Sequence, residues 1–160
     1  MENARKLKQH DFLERLVGTW TVSSPGDSSH PEWTETVRSL HGIWFVAEGE
    51  GDMPGGGRAA TVLTLGYDPA KGRYVGTWVG TMMTYLWVYE GDTDTGGNVL
   101  TLETTGPDMQ AEGKMAKYRE TVTFIDDDNR TFSSSAEQPD GSWKTFMTVN
   151  YTRQKPGRTP

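Results

Sequence analysis

The sequence predicts an all-β fold: a single antiparallel up-and-down barrel of about nine or ten strands, with one N-terminal α-helix capping an end. Three observations carry this. Apolar residues recur at helical spacing only once, near the N-terminus. From Gly18 onward the apolar period is two, in brief runs divided by Gly, Asp, Asn and Pro turns. The 160 residues are too few for two ordinary domains with separate cores, so one domain over residues 1–160 is expected.

Leu7, Phe12, Leu13, Leu16 and Val17 share one face at helical spacing, while Lys6, Lys8, Gln9, Asp11, Glu14 and Arg15 fill the other. This stripe predicts a helix of about three turns over residues 5–17, stopped by Gly18. Its apolar face must be buried, and an open barrel end is the place for it. Residues 19–23 alternate as a first strand around Trp20. Residues 33–40 and 43–50 flank His41-Gly42, which has the length and the glycine of a tight hairpin turn. Residues 61–65 lead through Gly66-Tyr67-Asp68-Pro69 and Lys71-Gly72 to a strand over 73–79. Runs at 85–89, 99–103, 118–125, 130–135 and 143–153 complete a barrel over about residues 18–153, and 154–160 reads as a frayed tail. Two stretches, 23–32 and 51–57 with its Pro54-Gly55-Gly56-Gly57 core, read as loops, either plain solvated connections or the borders of a barrel mouth.

The 22 acidic and 16 basic side chains give a formal net charge of -6, with the basic residues scattered. Such a chain offers no electrostatic footprint for a phosphate backbone or an anionic membrane, so neither nucleic acid nor membrane is an expected partner. The absence of cysteine removes disulfides, thiolate metal sites and cysteine nucleophiles together, and fits a reducing compartment. The first ten residues hold no apolar run long enough for a signal peptide, which predicts a cytoplasmic location.

His10-x-x-Leu13-x-x-Leu16-x-Gly18-x-Trp20, Gly66-Tyr67-Asp68, Tyr74-x-x-x-Trp78, Phe124-x-Asp126-x-Asp128, Asp140-Gly141 and Tyr151-x-Arg153 follow an order and spacing that resembles the domain of unknown function 1579 family, over about residues 10–153. That family is similar to the calycins, the superfamily of lipocalins and fatty-acid-binding proteins, which implies a calycin-like barrel. It carries no established activity, so the resemblance transfers no catalytic residue. Many relatives have an acidic residue two positions after the tryptophan matching Trp78, where this chain has Gly80. The calycin resemblance also implies that Trp20 on the first strand packs under Arg153 on the last, closing the barrel structurally by a stacked guanidinium.

Trp33, Trp44, Trp78, Trp87 and Trp143 lie on five different predicted strands, and alternation lets several share one face. Tyr85 has the parity of Trp87. With Tyr118 and Glu120 these are the candidate cavity residues, a lining suited to a small hydrophobic or aromatic ligand; a solid core filled by the same rings is the alternative. Glu35 has the parity of Trp33, Glu48 that of Trp44, and Glu120 that of Tyr118 and Phe124. If those faces point inward, each carboxylate needs a cation, a hydrogen-bond donor or a shifted pKa. Arg38, Arg73 and Arg119 have the opposite parity and are expected at the surface.

Catalytic and metal motifs are missing. His10, His30 and His41 have no ligand spacing among them, and no metal site is expected. Haem-binding calycin-like barrels use a histidine late in the chain, and none follows His41. There is no Gly-x-Ser-x-Gly elbow, and Gly55-Gly56-Gly57-Arg58 lacks the Lys-Ser/Thr of a phosphate loop. Asp126-Asp127-Asp128-Asn129 lacks the glycine and distal glutamate of a calcium loop and reads as a hairpin turn. No cofactor is expected. The leading expectation is a non-enzymatic barrel that binds a small hydrophobic or aromatic molecule, with Glu120 as polar anchor. The alternatives are an enzyme using an internal carboxylate and a tyrosine as acid–base pair, and a homodimeric assembly module with a filled core.

Overall fold

Helical spacing in the first seventeen residues yields less helix than the apolar stripe predicts. In the computed structural model, which describes residues 1–26 and 29–156, the one α-helix is α1, His10–Glu14. Turns closed by three-residue steps extend it at both ends: His10 N donates to Leu7 O (3.1 Å) and Asp11 N to Lys8 O (3.0 Å), then Leu16 N to Leu13 O (3.0 Å) and Val17 N to Glu14 O (3.2 Å). Gln9 supplies no side-chain cap, and its carbonyl accepts instead from Tyr74 Oη at 2.8 Å. The Leu7 amide is held by His10 Nδ1 at 2.9 Å, which closes the chain into a tight turn rather than a longer helix.

Ten strands follow: β1 Gly18–Ser23, β2 Trp33–Leu40, β3 Trp44–Asp52, β4 Arg58–Asp68, β5 Arg73–Gly80, β6 Trp87–Thr93, β7 Val99–Pro107, β8 Met115–Phe124, β9 Asn129–Glu137 and β10 Trp143–Arg153. Each pairs antiparallel with its neighbour in sequence, and β1 pairs with β10, so the sheet closes into an up-and-down barrel with no free edge. The β2–β3 connection turns through His41 and Gly42, both at positive φ (55° and 74°), the backbone that a tight hairpin demands.

Because the strands alternate in direction, α1 and the connections at 41–43, 69–72, 94–98 and 125–128 gather at one end. The connections ending at residues 32, 57, 86, 114 and 142 border the other, so the two loops singled out in the sequence lie at the same mouth. Asp27 and Ser28, within the first of them, lie outside the described residues. The helix closes its end of the barrel: Phe12 packs edge-on against Phe124 (5.3 Å) and Tyr74 (6.2 Å), and Leu13 and Leu16 are buried beside it. Burying Phe12, Leu13 and Leu16 is worth on the order of 1.5–3 kcal/mol each, which is what holds so short a helix in place. Gln154, expected to fray, is tied to β1 through its amide on Thr19 O (2.8 Å) and its side chain on Thr21 Oγ1 (3.1 Å). The end of the expected tail, residues 157–160, lies outside the described residues.

Candidate ligand cavity

Strand alternation sends every second side chain toward the barrel axis, and above the helix-closed core these side chains leave a cavity of about 430 Å³. Leu16, Phe45 and Leu65 form its floor; Leu63, Trp78, Tyr89, Phe132 and Val149 are on its walls. Met82, Met109, Phe146 and Met147 border it at the mouth, with Trp33 and Pro31. The interior is open rather than filled.

Of the residues expected there, Trp33, Trp78, Trp87, Tyr118 and Glu120 border this cavity, and Trp44, Tyr85 and Trp143 do not. On β3 the inward positions fall to Phe45, Ala47 and Gly49, which puts Trp44 outside, 45% exposed. Its ring lies against Gly66, where a Cβ would stand 2.4 Å from it. Tyr85 precedes β6; it packs edge-on against Trp87 (5.0 Å) from behind and donates to Thr105 O at 3.2 Å. Trp143 is turned outward by an irregularity in β10. Thr145 opposes Ser135 but Met147 opposes Ser134, so the intervening Phe146 shifts the parity. Met147, Val149 and Tyr151 therefore face inward while Trp143 lies outside, its ring under the Arg119 guanidinium at 3.9 Å.

The aromatic walls are fixed by their own contacts. Trp87 Nε1 donates to Met83 Sδ (3.1 Å), and its ring stands edge-on to Tyr118 at 5.3 Å. Tyr118 Oη donates to Pro107 O (2.7 Å) and accepts from Met109 N (3.1 Å), which spends the phenol on holding the β7–β8 turn. Trp33 Nε1 donates to Asp52 O at 3.2 Å.

Two polar stations interrupt the apolar lining. Glu35, on β2, accepts from Arg130 Nη2 (3.0 Å) and from Tyr151 Oη (3.2 Å). Arg130 is 4% exposed and lies over the rings of Tyr151 (3.8 Å) and Trp20 (4.6 Å). Burial, reinforced by the Glu35 charge, pushes the Tyr151 phenol well above its ordinary range. Arg130 belongs to no motif in the sequence, although it alternates with Phe132 and Ser134 on one face of β9. Glu120, on β8, is the second station. It is 8% exposed, and its carboxylate accepts from Ser134 Oγ. Burial pushes it up to about 7 against the opposing pull of that bond. Burial and the Glu120 charge hold the nearby Tyr89 phenol far above its usual value.

Asp52 borders the cavity at its mouth, and several other charges lie outside. Glu48 faces solvent and pairs with Arg38 at 3.3 Å; Arg73 pairs with Asp92 (3.1 Å) and Glu90 (3.5 Å). Asp126 Oδ1 accepts from Asp128 N (2.8 Å) and Asn129 Nδ2 (3.0 Å), closing the acidic turn on itself. Among the described residues no cluster of three or more acidic or histidine side chains is arranged to hold a metal ion, and no helix is long and apolar enough to cross a membrane.

The family described as a protein of unknown function, DUF1579, matches residues 5–153 of this sequence. The chain belongs to that family. No curated protein matches it. Among solved structures, this DUF1579 barrel is similar to Rv2717c from M. tuberculosis, at 13% identity over 94% of this chain and 100% of that one, with a TM-score of 0.58. It is also similar to the S-type phycobiliprotein lyase CPES from Guillardia theta, at 19% identity over 94% of this chain and 95% of that one, with a TM-score of 0.52. At these identities the likeness establishes a shared barrel fold and nothing of its chemistry.

Proposed function

We propose that this barrel binds a small hydrophobic or aromatic molecule inside its cavity, in the cytoplasm, with Trp33, Trp78 and Trp87 as rigid walls and Glu120 as the polar anchor. The observation that carries the reading is an open, mostly apolar interior of about 430 Å³, within the range of ordinary ligand pockets, that contains one deeply placed carboxyl satisfied only by a serine. Empty apolar volume of this size is costly to a core that has no use for it. An acid–base enzyme built on Glu120 would need a tyrosine that exchanges its proton near neutrality. Tyr89 instead keeps its proton far into the alkaline range, which favours binding over catalysis. A net charge of -6 also argues against a polyanionic partner.

Native mass spectrometry of freshly purified protein tests the proposal. The expected result is a co-purifying small molecule that is lost on denaturation, or a saturable quench of tryptophan fluorescence by members of a panel of fatty acids, flavins, porphyrins and aromatic metabolites. A clean apo mass with no quench across that panel contradicts it.

A further inference from the structure

We propose that the molecule this cavity takes is a flat, apolar cation whose positive charge pairs with the Glu120 carboxylate. The inference rests on the binding reading above and names the ligand class.

It follows from how the charges bordering the cavity are matched. His30 and Asp52 stand at the mouth, and Asp52 is paired with Arg58 at 3.4 Å. Deeper in, Glu35 and Arg130 cancel each other at 3.0 Å, and Tyr151 occupies the other Glu35 oxygen. An anionic ligand would meet at Arg130 a guanidinium whose charge Glu35 already cancels, even though its buried Nε has no hydrogen-bond partner. Glu120 is left over. Its cross-strand neighbours are Leu102 on β7 and Ser134 on β9, Tyr89 faces it from β6, and among the described residues no basic side chain is within ion-pair reach. A buried carboxylate without a cation is costly, so this position gains most from a ligand that brings one. The surrounding lining points the same way, because the faces of Trp78, Trp87, Tyr89 and Phe132 attract a cation that they also desolvate. Since Glu120 titrates near 7, a permanent cation binds more tightly as pH rises through neutrality and releases a proton as it does so.

Three probes on one ring system test this: 10-methylacridinium, acridine and acridine-9-carboxylate, titrated by fluorescence at pH 8. The expected order places the cation about tenfold or more tighter than neutral acridine, with the carboxylate weakest. Glu120→Gln should erase the preference for the cation over acridine, with circular dichroism confirming the fold. In the wild-type protein, which needs no variant, affinity for 10-methylacridinium should fall about tenfold between pH 8 and pH 6. Acridine bound as well as the cation, a preference that survives Glu120→Gln, or a pH-independent cation affinity overturns the inference alone. Binding of none of the three contradicts both it and the binding reading.

Discussion

Arg153 lies over the Trp20 ring at 4.3 Å, and the two are Cα partners across the β1–β10 seam where the barrel closes. The same guanidinium donates to the carbonyls of Val17, Arg15 and Asp127, so one side chain fastens the last strand to the first strand, to the end of the helical turn and to the β8–β9 connection. It does so with a planar, multiply donating group that a lysine cannot reproduce.

Arg153→Ala should therefore cost about 2–4 kcal/mol, as the stacked cation and its charge-assisted bonds are lost together. Arg153→Lys should recover only part of that. Urea denaturation checks both, and a loss for Arg153→Ala within about 0.5 kcal/mol of zero, the ordinary surface range, would count against the seam being held this way.

The Glu35–Arg130 pair should show the asymmetry of buried charges. Arg130→Met alone leaves the largely enclosed Glu35 carboxylate with only Tyr151 and should destabilise by about 3 kcal/mol, whereas Arg130→Met combined with Glu35→Gln should recover much of it. A double-mutant cycle from denaturant melts reads the coupling; additive losses would contradict it.

Glu120 makes stability pH-dependent with a definite sign. Burial pushes its folded pKa up to about 7, above the ordinary carboxylate value of 4.5. The neutral carboxyl is the favoured folded form, so its contribution is complete below about 4.5 and is lost as pH rises through about 7. Wild type should lose up to about 3 kcal/mol relative to Glu120→Gln between pH 4.5 and pH 8. Parallel stability curves for the two proteins would refute the shifted titration.

Gly106 is where a single methyl should reshape the cavity. A Cβ there would stand 2.0 Å from the Trp87 ring, which is buried and cannot move aside freely. Gly106→Ala should cost about 1–3 kcal/mol by overpacking and shift the Trp87 fluorescence. Gly66→Ala, which meets the half-exposed Trp44 ring, should cost less because that ring can swing into solvent. Equal penalties would argue against the different burial of the two tryptophans.

The barrel was legible because ten short strand-like runs, most of them with period two and each bounded by turn residues, leave little else for an antiparallel chain to do. Inside and outside were legible where alternation ran unbroken, as in Tyr118, Glu120, Val122 and Phe124 on β8. They were not legible where it was masked or shifted. The contiguous apolar run at 43–47 has no alternation to read, so nothing in it shows that Phe45 rather than Trp44 turns inward. Phe146 adds a residue that the sequence does not announce, and it reverses the face of Trp143. Arg130 escaped notice because its partner Glu35 lies 95 residues away, and pairing at that distance follows from barrel closure, which leaves only β1 and β10 between β2 and β9. The helix came out short because Gln9 provides no cap and the neighbouring turns close on three-residue steps.

Fluorescence titration with N-phenyl-1-naphthylamine, comparing wild type with Leu63→Trp, asks most directly whether the interior is a binding site. Leu63 lines the cavity wall, so a larger indole at that position should take up interior volume that a ligand would need. A saturable, one-to-one enhancement in wild type that weakens at least about tenfold in the variant is the predicted result. An enhancement that never saturates, or that is the same in both proteins, would place the probe on the outer surface and contradict an internal site.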